Sequence, residues 1–519
     1  MTKSNNVGIT ALIVALGGLL MGFDASVISG VIKFIEPEFG LTKLQLGWSV
    51  SSLTLTATLA MMLAGPLSDR YGRRLILMYA AILYAISALA SAFAPTFWFL
   101  VVARMIGGFG VGASLILAPM YIAEIAPASV RGRMVSFNQL NIVIGISLAF
   151  FTNYLILQYG ASDAAWAKSL GLDQHQWRWM LGLETIPAIC YFAGLFIVPK
   201  SPRWLIMKGQ IDQAKEIMRR FGSDEAVEQD VAAIQKSIDS ESSKKRQSLA
   251  ELFNPSLRLV LTIGIVVAVL QQITGINSVF FYAPMIFEQS GIGTDAAFIQ
   301  AILVGLVNLG FTVIAILFID RLGRKPLLIG GVAGIVVCMF TLAYGFNSAT
   351  YTLNDTTVLT SIDSEDQEKL SGLIGVTYDD DTSYKQALSV ALGAENAKIH
   401  ESTLINSAIT MNPTLILAGI LGFVASFAIS IGPVMWVLFS ELFPNWIRGL
   451  AISFVGLINS AVSFIVQLVF PWELEVLGSA TTFLIYGVFA LLGLLFIIKI
   501  VPETKGKSLE ELEQMLVKK

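Results

Sequence analysis

Hydrophobic and polar positions along the chain alternate in long blocks, apolar runs joined by short polar stretches. Runs able to cross about 30 Å of hydrocarbon lie near residues 9–29, 46–66, 76–93, 97–121, 135–157 and 178–198, and again near 259–286, 297–319, 327–346, 415–440, 449–471 and 479–500. A charged stretch from Lys200 to Arg258 separates the two sets. The pattern predicts an all-α membrane protein with twelve transmembrane helices in two six-helix halves. Four segments follow: a first half over 1–199, a cytoplasmic helical linker over 200–258, a second half over 259–500 and a cytoplasmic tail over 501–519. Only Lys3 precedes the first run as a charge, and no small-residue cleavage site follows it, which predicts a retained first span.

Arginine and lysine are retained on the cytoplasmic side of a membrane. Arg70, Arg73, Arg74, Arg131, Arg133, Arg321, Arg324 and Arg448 all fall in joints of one parity, as do Arg203, Arg219, Arg220 and Arg246 of the middle stretch. Both termini are therefore expected in the cytoplasm. Joints of the other parity carry lysines only, at Lys33, Lys43, Lys168, Lys369, Lys385 and Lys398.

The halves repeat. Asp69-Arg70-Tyr71-Gly72-Arg73-Arg74 follows span two, and Asp320-Arg321-Leu322-Gly323-Arg324-Lys325 follows span eight. Glu124 and Arg131 close span four as Glu441 and Arg448 close span ten. Asp69 to Glu124 is 55 positions and Asp320 to Glu441 is 121, so the second half holds an excess of 66 residues, placed at about 347–414 on the outer side. Two halves in one orientation are the layout of carriers whose site lies near the midplane. Asp69, Arg70, Arg73, Glu124 and Arg131, with Asp320, Arg321, Arg324, Glu441 and Arg448, are expected to pair as a cytoplasmic latch that breaks when that face opens. The plainer reading is that these charges only set topology.

Composition narrows the function classes. Hydrophobic residues make up 55% of the 519 and charged residues 14%, with a net charge of -3; no basic surface suggests nucleic acid. Cys190 and Cys338 sit in apolar runs without partners for a disulfide or a metal. The two histidines, His175 and His400, lie in outer joints, so no nucleophile or metal set for an enzyme appears, and no cofactor is expected. Asp379, Asp380 and Asp381 lack the alternating spacing of a calcium loop and read as part of a solvated loop. Asn354-Asp355-Thr356 matches a glycan acceptor pattern.

Two further motifs, Pro199-Lys200-Ser201-Pro202-Arg203-Trp204-Leu205 after span six and Val501-Pro502-Glu503-Thr504-Lys505-Gly506 after span twelve, make the chain resemble the sugar porter branch of the major facilitator superfamily, in particular bacterial proton-coupled xylose, galactose and glucose symporters. The resemblance runs from about Gly18 to Glu511. Lys200 stands where members usually carry Glu, Ser460 where many carry Trp, and the outer insertion is a further departure. The middle stretch shows apolar residues at helical steps over Gln210–Phe221 and Asp224–Ile238. In the family such helices form a cytoplasmic bundle, which the Lys507–Glu511 tail helps to complete.

A sugar needs amides and hydroxyls that both donate and accept, with an aromatic beside them. Span seven holds Gln271, Gln272 and Asn277. Five residues advance a helix by about 500°, so one continuous face cannot present all three, and Gly275 permits local unwinding between them. The resemblance implies that these amides bind sugar with Gln139, Asn308, Trp436 and Asn459, and that Phe281 and Tyr282 form an outer gate. Amides that merely link helices and a Trp436 that anchors at the interface are the plainer alternatives.

Asp24, Arg104 and Glu184 lie at similar depth in spans one, four and six. Charges inside spans are costly and normally paired. One arginine offsets one carboxylate, and the second acid is left to titrate. The resemblance implies proton coupling through these three, since coupled members carry Asp in the Gly-Phe-Asp motif where passive ones commonly carry Asn. The expected activity is uptake of a pentose or hexose with protons by alternating access, by a monomer held in the cell membrane. The alternatives are a passive facilitator and a polyol or inositol proton symporter. A permanent Asp24 to Arg104 salt bridge is the purely structural reading.

Overall fold

The computed structural model describes residues 3–126, 131–220, 224–242, 248–354, 364–507 and 509–517. Spans one to five run Lys3–Glu38, Lys43–Tyr71, Arg73–Ala92, Phe97–Ile125 and Arg131–Gly160. Span six is divided into Gln176–Gly182 and Thr185–Leu195. Pro187 has no N–H to give the carbonyl of Leu183, four residues back, so the ladder fails there and Glu184 occupies the break. Span seven is Arg258–Ile273 with Ile276–Glu288, eight Thr294–Leu322, nine Arg324–Asn347, ten Pro413–Ile429 with Ile431–Leu442, eleven Arg448–Val476 and twelve Gly478–Ile500. Among the described residues, eleven helices are long and apolar enough to cross a membrane. Span six is missing from that number because neither of its pieces is long enough.

The helices form two compact units. Unit one holds Met1–Val27, Ser52–Ala149 and Arg178–Ser248, and unit two holds Ile28–Ser51, Phe150–Trp177 and Leu249–Lys519. Spans one, two and five thus change unit along their length, their outer ends belonging with the second-half helices; "outer" here means the side opposite the arginine-bearing joints. The core of unit one is built from Leu20, Leu77, Tyr84, Leu117, Tyr121 and Tyr191. Its linker is folded, with helices Pro202–Met207, Ile211–Arg219 and Asp224–Ser242 closing over Leu205, Ala214, Val227 and Val231. The tail helix, Leu509–Leu516, packs on Ile431–Leu442 of span ten in unit two.

The insertion is not a solvated loop. Its strands β1 (Thr350–Thr352), β2 (Thr377–Tyr378) and β3 (Ile409–Thr410) form an antiparallel sheet in the order β2-β1-β3. Helices Asp381–Leu392 and Ala394–Ala408 cover it, burying Tyr351, Leu353, Tyr384, Leu388, Leu404 and Ile405. Of the three acids read as solvated, Asp379 and Asp380 are exposed, and Asp380 also caps the first of these helices, its Oδ1 accepting from Ser383 N at 2.7 Å. Of the glycan pattern, Asp355 and Thr356 lie outside the described residues.

Candidate functional site

The first constellation lies in the core of unit one. Asp24, Arg104 and Glu184 are each almost fully buried, at 1–2% exposure. Arg104 Nη1 reaches Asp24 Oδ1 at 3.4 Å, and Nη2 donates to the Asp24 backbone carbonyl at 3.3 Å. Glu184 is within electrostatic range of both. Asp24 Oδ2 and Glu184 Oε1 meet no hydrogen-bond partner among the described residues. A Cβ added at Gly107 would stand 2.8 Å from Asp24 Oδ2, so the carboxylate needs the room that this glycine leaves. With both acids ionised the trio carries a net charge of -1 in a site where an unbalanced charge costs several kcal/mol; one proton removes it.

The second constellation lies in unit two at the break of span seven. Gly275 takes φ +85°, a left-handed conformation open mainly to glycine, and an added Cβ there would strike the ring of Tyr486. The helix turns at the position where the sequence suggested unwinding, and this lets amides from both pieces meet. Gln272 Nε2 donates to Gln271 Oε1 at 3.1 Å and to Asn459 Oδ1 at 3.2 Å. Asn459 Nδ2 donates to Gln271 Oε1 at 2.7 Å and to the Ala268 carbonyl at 2.9 Å. Asn277 Nδ2 donates to Gln272 Oε1 at 2.8 Å and to Ser463 Oγ at 2.7 Å. Gln467 Nε2 extends the chain by donating to the same Ser463 hydroxyl at 2.7 Å. Sequence reasoning missed Ser463 and Gln467. With Asn459 they recur every four residues along span eleven, a polar stripe in an apolar helix that would have found them.

Of the other expected site residues, Phe281 and Tyr282 adjoin this network in the chain, while Asn308 and Trp436 lie on other spans of unit two. Asn308 is buried on span eight, and Trp436 on span ten is half exposed with its ring edge-on to Phe439 at 5.9 Å. Gln139 is exposed on span five in unit one. Phe281 and Tyr282 are buried just beyond Asn277; Tyr282 leaves helical geometry at φ -122°, ahead of Pro284, and its hydroxyl donates to the Gln467 carbonyl at 3.0 Å.

The motif loops resolve into two matching clusters. In unit one Arg73 pairs with Asp69 at 2.7 Å and with Glu124 at 3.1 Å, and Ser201 Oγ donates to Glu124 Oε2 at 2.5 Å. In unit two Arg324 pairs with Glu441 at 2.8 Å and Thr504 Oγ1 donates to Glu441 Oε2 at 2.5 Å. Arg70 lies over the ring of Tyr71 and Arg448 donates to the Phe443 carbonyl, while Arg321 is exposed. The side chains of Arg131 and Asp320 lie outside the described residues. Glu503 was not singled out from sequence. Burial alone would raise its pKa, yet the backbone N–H groups of Lys505, Arg324, Lys325 and Thr504 hold its carboxyl below the usual carboxylate range.

The sequence matches the family described as "Sugar (and other) transporter" over residues 10–362 and 395–516, a match that skips part of the insertion. It is 34% identical to the arabinose-proton symporter of Bacillus subtilis (strain 168), covering 100% of this chain and 97% of that one. It is 35% identical to the D-xylose-proton symporter of Escherichia coli (strain K12), covering 97% and 94%. The fold is similar to the inward-open conformation of the xylose transporter XylE from E. coli, with a TM-score of 0.74, 33% identity and coverage of 98% of this chain and 99% of that one. Twelve spans, the repeated loops and these likenesses agree, and the chain belongs to the sugar transporter family of the major facilitator superfamily.

Proposed function

We propose that this chain takes up a monosaccharide in symport with protons by alternating access, working as a monomer in the cell membrane. The observation that carries the reading is the buried trio of unit one, in which two carboxylates face one guanidinium and each keeps an oxygen without a partner. Two carboxylates and one guanidinium leave one negative charge over, which a proton neutralises, and charges inside spans are costly unless paired. Protonation of Asp24 weakens its hold on Arg104, whose guanidinium then turns toward Glu184, and this exchange couples proton entry to closure around sugar. The amides of Gln271, Gln272, Asn277 and Asn459 each offer a donor and an acceptor and exchange their mutual bonds for sugar hydroxyls, with Gln139, Asn308 and Trp436 completing the pocket and Phe281 and Tyr282 gating it from outside. The Arg73 and Arg324 clusters, with the other loop charges, act as the inner latch. Relatives named as arabinose-proton and D-xylose-proton symporters support the pairing of a sugar with a proton.

Asp24→Asn in proteoliposomes tests it. Accumulation of labelled sugar under an imposed pH gradient, and the alkalinisation that follows sugar addition, are expected to vanish while counterflow exchange persists. Accumulation that survives Asp24→Asn makes the trio a structural salt bridge. Counterflow with xylose, arabinose, glucose, galactose and inositol identifies the sugar and separates a polyol carrier from a monosaccharide carrier.

A further inference from the structure

The insertion carries charges that reach the first two spans, all within unit two. Lys43, the first residue of span two, is buried, with its ammonium 2.6 Å from Glu36 near the end of span one and 3.8 Å from Glu401 on the insertion helix Ala394–Ala408. The other oxygen of Glu401 lies 3.8 Å from Lys385 on the neighbouring insertion helix, and Lys385 pairs with Asp381 at 3.3 Å. Asp381 Oδ2 in turn accepts the N–H and the hydroxyl of Ser479, both at 3.3 Å, at the start of span twelve. The insertion is therefore fastened to the second half three times, by β1 after span nine, by β3 before span ten and by Asp381 on span twelve. A cavity of about 120 Å³ lies beside this chain of charges, lined by Lys43, Gln289, Lys385, Glu401 and Glu475. Farther along span one, Lys33 donates to Glu288 at 2.6 Å and to the Thr294 hydroxyl.

An exposed ion pair at these distances would contribute little. Lys43 differs because it is buried: separating it from Glu401 removes one of the two carboxylates that compensate it and leaves Glu36 alone to do so. Lys43 rides with its own half through Glu36, and Glu401 rides with the second half through the insertion. Outward opening of an alternating-access carrier draws apart the outer ends of the two halves, and Lys43 with Glu401 must then separate. Such an element has two arrangements, joined and parted. We propose that the insertion is an outer clasp, in which Glu401 holds Lys43 while the outer side is closed and the strength of that hold sets how readily the carrier opens outward.

Cysteine reactivity tests this in the full chain. Ser29, buried on span one, lines the adjacent cavity with Lys33, Glu36 and Lys43. In a chain with Cys190 and Cys338 replaced by Ala, Ser29→Cys is labelled from outside with a membrane-impermeant maleimide. Glu401→Gln and Lys43→Gln are each expected to raise the labelling rate at least about fivefold, the lower end of ordinary coupling between sites. The double variant should label no faster than the faster single one. Asp381→Asn, which leaves both clasp residues in place but unfastens the insertion from Ser479, should also raise the rate. Unchanged rates overturn the proposal, as does a double variant whose effect is the product of the two single effects. A lowered melting temperature for Glu401→Gln with unchanged labelling overturns it too, because the insertion would then be a structural dock only. The labelling reads outward opening whatever sugar or ion is carried, so it stands apart from the test of proton coupling.

Discussion

Asp24, Arg104 and Glu184 are three charges that no apolar helix would carry without company, and their types and depths could be read before any packing was known. The amides of span seven were equally legible as residue types, but their bonds were not. Asn277→Ala removes the donor shared by Gln272 and Ser463; a lost hydrogen bond is worth about 0.5–1.5 kcal/mol, so the half-saturation concentration for sugar in counterflow is expected to rise roughly two- to tenfold. An unchanged value would remove Asn277 from the sugar site. Glu503 offers a pH signature outside the spans. Its folded pKa is lowered, so it stabilises the fold above the ordinary Glu range near about 4.3 and loses that contribution as the pH falls through the folded value. Melting scans at descending pH are expected to show the wild type falling toward Glu503→Gln; parallel curves would contradict the role.

Among the elements, the breaks of spans six and seven set site residues at their bends, Glu184 at the first and Gln271, Gln272 and Asn277 around the second. Gly275→Ala puts a side chain into left-handed geometry, at about 1–2 kcal/mol, and against the ring of Tyr486. It is expected to lower the melting temperature and reduce sugar binding together; binding lost at an unchanged melting temperature would mean that the residue acts on sugar directly. The repeated loops show how near-symmetry breaks. Gly72 and Gly323 both take φ +95° ahead of spans three and nine. Glu503 Oε1 and Oε2 accept the Arg324 and Lys325 N–H groups at 3.1 Å each, capping span nine. After the matching proline of the first half stands Lys200, whose ammonium lies over the ring of Trp204 at 5.9 Å. A cation near a helix N-terminus is unfavourable and an anion favourable. Lys200→Glu is therefore expected to stabilise unit one by about 0.3–1 kcal/mol, read as a raised melting temperature; a lowered one would show that the Trp204 contact matters more than the missing cap.

Across the whole molecule, orientation rests on the arginine-bearing joints, which carry the two matched Arg and Glu clusters. Reporter fusions at the C-terminus and within the insertion are expected to report cytoplasm and exterior respectively; the opposite result would invert every assignment of inner and outer side, the clasp included. The division into two units cuts through spans one, two and five instead of falling at the linker, because the outer ends of those helices pack with the second-half helices. No hydropathy window contains that information, since it depends on which ends are together in this conformation.

By itself the sequence determined the number of spans, their repeat, the residue types of both constellations and the unwinding at Gly275, because hydrophobic run length, motif spacing and glycine's backbone freedom are local properties. Only the tertiary structure decided that Asn459 and Ser463 meet the span seven amides, that Ser201 and Thr504 complete the two loop clusters, and that the insertion folds over its own core with Glu401 against Lys43. Those contacts join positions 60 or more residues apart. Which buried polar groups find each other over such separations is settled by helix packing and the need to satisfy every buried donor, not by any stretch of chain read alone.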